Sequence, residues 1–231
     1  KNPTVYHASI IRDHYRGLDW ETSAFDWMTP ADAVALVGDT ARSLGLDPGE
    51  PFCFQAIAHD ELQALFLKKC EEWGEDPSEF AAPADGYWMR FPLRLDGLPC
   101  MRTTYDSVKS GEYVYGSTLN AYVTQAGIEA FYTDRVAYAV VDRPASSERS
   151  ISLDEAKEIL LKRYNKLILD QPITIDRVAY EYVPVPVKGK QLHFTARPAW
   201  CFYSQGFAND AYAAGETSAL CVDAINGQVI A

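Results

Sequence analysis

The chain closes on ALCVDAINGQVIA, residues 219–231, where two apolar, β-branched runs flank Asn226-Gly227. An Asn-Gly step in that setting supplies the two positive φ angles of a type I′ turn at low steric cost, so the tail predicts a two-residue β-hairpin. A hairpin that ends a chain is the last piece of a sheet, and the segments upstream must supply the neighbouring strands.

They do. Residues 173–187, ITIDRVAYEYVPVPV, alternate apolar and polar positions, and residues 191–204, QLHFTARPAWCFYS, follow after a Lys188-Gly189-Lys190 turn. Both predict strands of an antiparallel sheet. Ahead of them, SLDEAKEILLKRYNKL opens with Ser152 and Glu155 at capping-box spacing. Its Leu153, Ala156, Ile159, Leu160, Tyr164 and Leu167 share one helical face. Residues 135–143, RVAYAVVDR, predict one more strand. The C-terminal half thus reads as strand, helix, then three or four strands.

The N-terminal half has a similar order. Residues 4–11 predict a strand, and the next helix opens with Thr29 as N-cap and Pro30 at its first position and ends near Gly45. A strand over 51–58 precedes an inserted helix over 59–73, and strands follow over 86–97, 98–105 and 119–133. Tyr122-Val123 followed by Gly127 parallels Cys221-Val222 followed by Gly227, with one residue of slippage. The expected class is α+β: two tandem helix-on-antiparallel-sheet units arising by duplication, each of two layers. The expected domains are residues 1–133, carrying the inserted helix 59–73, and residues 134–231. The segment DRPASSERS, residues 142–150, reads as the linker.

Charge narrows the partners. Thirty-two Asp and Glu against 21 Lys and Arg give a formal net charge of -11, and the resulting field repels phosphate backbones and anionic head groups. Nucleic acid is therefore not an expected partner. No apolar run approaches the roughly 18 residues that would span a bilayer. The five cysteines, Cys53, Cys70, Cys100, Cys201 and Cys221, have no CxxC spacing, which argues against zinc-ribbon and thioredoxin-type chemistry. They are expected to be buried free thiols, with Cys201 and Cys221 the one pair that consecutive antiparallel strands would bring together.

Motifs for catalysis are missing. There is no G-x-S-x-G, S-x-x-K, H-E-x-x-H, Walker loop or G-x-G-x-x-G. His7 and His14 flank Asp13, but a strand at His7 would part their side chains, so no metal and no cofactor are expected. His59-Asp60-Glu61 reads as a helix start, where acidic residues suit the dipole. The stretch DHYRGLDWETSAFDWM interleaves Tyr15, Trp20, Phe25 and Trp27 with Asp13, Asp19, Glu21 and Asp26. These four aromatics are the candidate binding surface, suited to stacking on a sugar ring or receiving a cationic segment. The alternative is a loop that tucks its aromatics over the sheet.

The order ISLDEAKEIL, VPVPV, RPAWCF and CVDAINGQVI resembles the PepSY-like units of secreted bacterial lipoproteins, in which a helix precedes an antiparallel sheet ending in a vDa-x-tG-x-vi pattern. It is also similar to the YycH and YycI regulators, membrane-tethered extracytoplasmic proteins that restrain a sensor histidine kinase. The resemblance covers residues 151–231 and is carried by Arg197-Pro198-Ala199-Trp200 and Val222-Asp223-Ala224. It implies an extracytoplasmic place at the bacterial cell surface, with a lipid or membrane anchor ahead of Lys1. It also implies action by binding: a non-enzymatic regulatory module whose partner is another envelope or membrane protein, such as a sensor kinase. Competing expectations are a carbohydrate- or peptidoglycan-binding surface protein using Trp20 and Trp27, and a hydrolase of an unrecognised type.

Overall fold

The structure, a computed structural model, describes residues 10–11, 25–79, 84–102, 105–106, 113–114, 116–143, 150–166, 173–190, 192–204 and 218–230. In chain order these contain α1 (Pro30–Ser43), β1 (Cys53–Ile57), α2 (His59–Trp73), β2 (Gly86–Pro92), β3 (Arg94–Leu95), β4 (Leu98–Pro99), β5 (Tyr105–Asp106) and β6 (Tyr113–Val114). They continue with β7 (Ser117–Thr124), β8 (Gly127–Arg135), α3 (Leu153–Tyr164), β9 (Arg177–Pro186), β10 (Phe194–Ser204) and β11 (Ser218–Asp223). The class is α+β, with antiparallel sheets. His7, His14, residues 4–9 of the expected first strand and residues 144–149 of the expected linker lie outside the described residues.

The chain divides into two compact units, one of Lys1–Leu93 with Thr118–Asp134, the other of Arg94–Ser117 with Arg135–Ala231. In the first, the Thr29 hydroxyl accepts from the Asp32 amide and Pro30 takes the first turn, as the sequence predicts, so α1 begins where its orphan N–H groups are met. Its buried stripe of Ala33, Val37 and Ala41 packs on Phe54, Tyr87, Met89, Phe91, Leu119, Ala121 and Val123. These sheet residues alternate along a four-stranded antiparallel sheet of order β1-β2-β7-β8, in which Cys53 pairs with Arg90 and Gly86 with Thr124.

The opposite face of that sheet is buried as well. Leu62 of α2 and Ile11 pack with Cys53, Ile57, Trp88 and Tyr122. This unit therefore has a helix on each face instead of the expected two layers, and β7 is buried at every position. A strand covered on both sides need not alternate in polarity, which is why alternation alone misjudged the layer count. Ile10 and Ile11 are helical, not the end of a strand. Burial of both side chains outweighs the modest β preference of adjacent isoleucines.

In the second unit the Ser152–Glu155 capping box is complete: each side chain accepts from the other residue's amide. From α3, Ala156 and Leu160 pack on Phe202, Leu220 and Val222, one face of a three-stranded sheet of order β11-β10-β9. The other face presents Val183, Ala199, Cys201, Tyr203 and Cys221, and it is covered by Met101 and Val114. The Met101 amide donates to the Tyr182 carbonyl at 2.9 Å, and Cys100 bridges Tyr182 in parallel. Arg94–Ser117 thus belongs to the second unit because it roofs that unit's sheet, whereas a single boundary after Thr133 would leave it in the first.

Two local readings change. Residues 136–143 form no strand; β8 ends at Arg135, and Val141 beyond it is 87% exposed. The closing turn is not type I′. Gly227 has φ +69°, but Asn226 does not join it, since positive φ outside glycine occurs among the described residues only at Asp96 and Leu192. The Asp223 carboxylate accepts from the amides of Ile225 and Asn226, and the Asn226 side chain accepts from Gln228. The Gly227 amide reaches back to the Asp223 carbonyl at 2.9 Å, closing a longer loop than two residues. The β7–β8 turn places two residues between Thr124 and Gly127, one fewer than lie between Asp223 and Gly227.

Candidate functional site

Of the four aromatics singled out in the sequence, Tyr15 and Trp20 lie outside the described residues. The structure brings Phe25 and Trp27 together: their rings stack at 5.3 Å between centroids and 8° between planes. Both also meet Tyr87 of β2, at 5.1 and 5.5 Å. The Tyr87 hydroxyl donates to the Met28 carbonyl at 2.7 Å and accepts from the Phe25 amide at 2.9 Å, which pins the turn they sit on. Both rings are half-buried against the core of the first unit, with one face of each stacked on the other.

A cluster of reactive groups lies on the roofed face of the second unit's sheet. Arg177, Glu181, Tyr203, Cys201 and Cys221 share that face because β9 and β10 pair Arg177 with Tyr203 and Ala199 with Glu181, while β10 and β11 pair Cys201 with Cys221. The Tyr203 hydroxyl donates to the Glu181 carboxylate, which also receives Arg177 at 3.0 Å, and the guanidinium lies 3.7 Å over the Tyr203 ring. A carboxylate only 3% exposed is tolerable because both oxygens are engaged by donors.

Two of these groups, Tyr203 and Cys201, are held protonated. Burial, with the Glu181 charge second, keeps the Tyr203 phenol protonated far above its ordinary range. Burial and the hydrogen bond with Cys221 do the same to Cys201. Burial pushes the Cys100 thiol up to about 12 and, in the first unit, Cys53 up to about 11. The thiolate is the nucleophile, so cysteines held protonated and out of solvent do not supply one. Among the described residues, no group of three or more His, Cys, Asp or Glu could hold a metal ion.

An open surface of the same unit is different in kind. Ile159, Lys162, Arg163 and Lys166 stand at i, i+3, i+4 and i+7 along α3 and just past its end, so they form one stripe. With Val229 of the closing segment they line an open groove of about 460 Å³, floored by aliphatic carbon and rimmed by three cations. The groove exists because the Gly227 turn seats against the helix: a Cβ at Gly227 would lie 3.1 Å from Ile159 Cδ1. None of the three cations has an ion pair or side-chain hydrogen bond among the described residues. Elsewhere in this acidic chain cations find partners: Arg42 with Asp39, Lys69 with Glu72, Arg143 with Asp96, Lys157 with Asp154.

Sequence reasoning missed this groove. The stripe was present in ILLKRYNK, but the same segment also carries the apolar face that packs on the sheet, and cations in a helix's last turn are ordinary partners of the macrodipole. What marks them out is that no ion pair reaches them among the described residues, which only the fold reveals.

The motifs that carried the family resemblance turn out to build the groove's support. The Trp200 indole N–H donates to the Ile151 carbonyl, the Ile151 amide to the Ala224 carbonyl, and the Ala224 amide to the Pro198 carbonyl. No family model matches the chain, and no curated protein matches it. It is similar in fold to an uncharacterised protein from Eubacterium rectale ATCC 33656, with a TM-score of 0.60 and 15% identity over 95% of this chain. The chain spans 59% of the length of that protein, and at such identity the likeness concerns the fold alone. No helix among the described residues is long and apolar enough to cross a membrane.

Proposed function

We propose that this chain is a non-enzymatic binding or regulatory module of a bacterial envelope protein, acting through contacts with another protein of the envelope or membrane. The observation that carries the reading is the α3 groove: three cations, with no ion pair among the described residues, around an aliphatic floor on a chain with a net charge of -11. Its fit is to a partner segment that alternates carboxylates with apolar side chains, because the carboxylates answer the cations while the apolar groups cover Ile159 and Val229. The extracytoplasmic setting and the kinase-type partner rest on the PepSY-like and YycI-like pattern of residues 151–231.

The test is chemical-shift mapping of the chain with a short peptide alternating Glu and Leu as probe. The reading expects perturbations gathered at residues 159–166 and 227–230 that shrink as salt is raised from about 0.05 to 0.5 M. It expects them to vanish in the variant Lys162→Glu, Arg163→Glu, Lys166→Glu. Perturbations that survive in that variant, or binding to phosphatidylglycerol vesicles with none to the peptide, would overturn it.

A further inference from the structure

Cys201 and Cys221 are cross-strand neighbours, directly opposed in the β10–β11 ladder. The geometry of that ladder says which type of neighbour. The Ile230 amide donates to the Cys221 carbonyl and the Asp223 amide to the Gln228 carbonyl, so residues 221 and 223 spend their backbone groups on the closing segment, away from β10. Cys201 and Cys221 are therefore a non-hydrogen-bonded pair, the site type at which opposed side chains come closest, with Cα atoms about 4.5 Å apart. A disulfide needs roughly 4.4–6.8 Å between its Cα atoms. Both side chains point to the same face, and the two sulfurs are within hydrogen-bonding reach of each other.

The other three cysteines are placed differently. Cys53 lies in the first unit's sheet and Cys70 on α2 beside Phe66. Cys100 sits in the second unit, but its neighbours are Glu181 and Tyr138, and it is not among the groups acting on the Cys201 thiol.

We infer that Cys201 and Cys221 are a built disulfide site, which closes when the chain folds in the presence of a disulfide oxidant of the glutathione class. One cysteine, as its thiolate, attacks the oxidant's S–S bond and expels one thiolate, leaving a mixed disulfide. The second cysteine, likewise deprotonated, attacks the protein sulfur of that mixed disulfide and expels the other thiolate. Two protein S–H bonds are lost and one S–S bond is made, while the oxidant takes up two electrons and the two protons to leave as two thiols. Both cysteines are 0% exposed in the folded chain, so the exchange belongs to folding, before Met101 and Val114 roof the face. The bond would tie β10 to β11, the strand whose end carries the Gly227 turn.

The experiment refolds the full chain in a mixture of reduced and oxidised glutathione, alkylates remaining thiols in denaturant, and maps the peptides by mass. The expected result is alkylation at Cys53, Cys70 and Cys100, a linked Cys201–Cys221 peptide, and a melting midpoint that falls by about 5–10 °C on reduction. Cys201→Ala and Cys221→Ala should each lose the linkage. A chain that is natively folded by circular dichroism yet alkylated at all five cysteines would overturn the inference, as would a linkage that involves Cys53, Cys70 or Cys100.

Discussion

The indole N–H of Trp200 donates to the main-chain carbonyl of Ile151 at 3.1 Å, joining the middle of β10 to the residue just before the α3 N-cap. Two short sequence signals, the Arg-Pro-Ala-Trp strand and the Ser152–Glu155 capping box, thereby meet at one point. Trp200→Phe keeps an aromatic ring but removes the donor and part of the indole's packing, and should cost at least about 1 kcal/mol in urea denaturation. Ser152→Ala should cost a similar amount. Because both act on the same helix start, the double variant is expected to fall short of the sum, and a double-mutant cycle measures the difference.

Tyr87 holds the Phe25–Met28 turn by two hydrogen bonds from a fully buried position. Tyr87→Phe should destabilise by about 1–3 kcal/mol, since it leaves two backbone groups without their partner. Tryptophan emission should shift to the red as Trp27 gains water. Unchanged emission and stability would mean that the turn is held by ring stacking alone.

At high pH the buried thiols work against the fold. Cys53 and Cys100 stay protonated up to about 11 and 12 in the folded chain, against an ordinary value of 9.0. Between those values the unfolded chain releases protons that the folded chain keeps. Stability is therefore full below about pH 9 and falls as pH rises above it, by at most about 1.4 kcal/mol per unit for each thiol. Urea titrations at rising pH check the slope, and Cys100→Ala should make it shallower.

The groove's cations should be dispensable for folding. With no ion pair among the described residues to lose, Lys162→Ala, Arg163→Ala and Lys166→Ala are each expected to change stability by less than about 0.5 kcal/mol. Gly227→Ala is the contrasting case. It places a side chain at φ +69° and against Ile159, and a loss of about 1–2 kcal/mol in thermal or urea denaturation is expected.

How much of this the sequence discloses depends on the range of the signal. The bounds of α2, the Thr29 cap and the Ser152 capping box are set by neighbours a few residues apart, and each is readable in place. The antiparallel alignment of Cys201 with Cys221 follows from consecutive strands. The turn at Asn226-Gly227 departs from the two-residue form because the Asp223 carboxylate, outside the dipeptide, takes the amides of Ile225 and Asn226. The strand expected over 135–143 has no ladder partner beyond Arg135 among the described residues, and periodicity cannot tell a paired strand from an extended segment. The groove stayed hidden because it is made by the seating of the Gly227 turn and Val229 against Ile159, residues remote from one another in sequence.

The path of the chain through its two units bears on how it is made. Residues 94–117 leave the ribosome before Thr118–Asp134 can complete the first sheet, and well before β9, to which Met101 and Cys100 bind, has been synthesised. The nascent protein must carry the roof of its second sheet, with Met101 and Val114 uncovered, until residues 177–223 arrive to receive it. Translation thus passes through an interval in which a finished length of chain lacks the sheet it covers, and slowing synthesis after Asp134 would lengthen the exposure of Met101 and Val114 to chaperones and proteases.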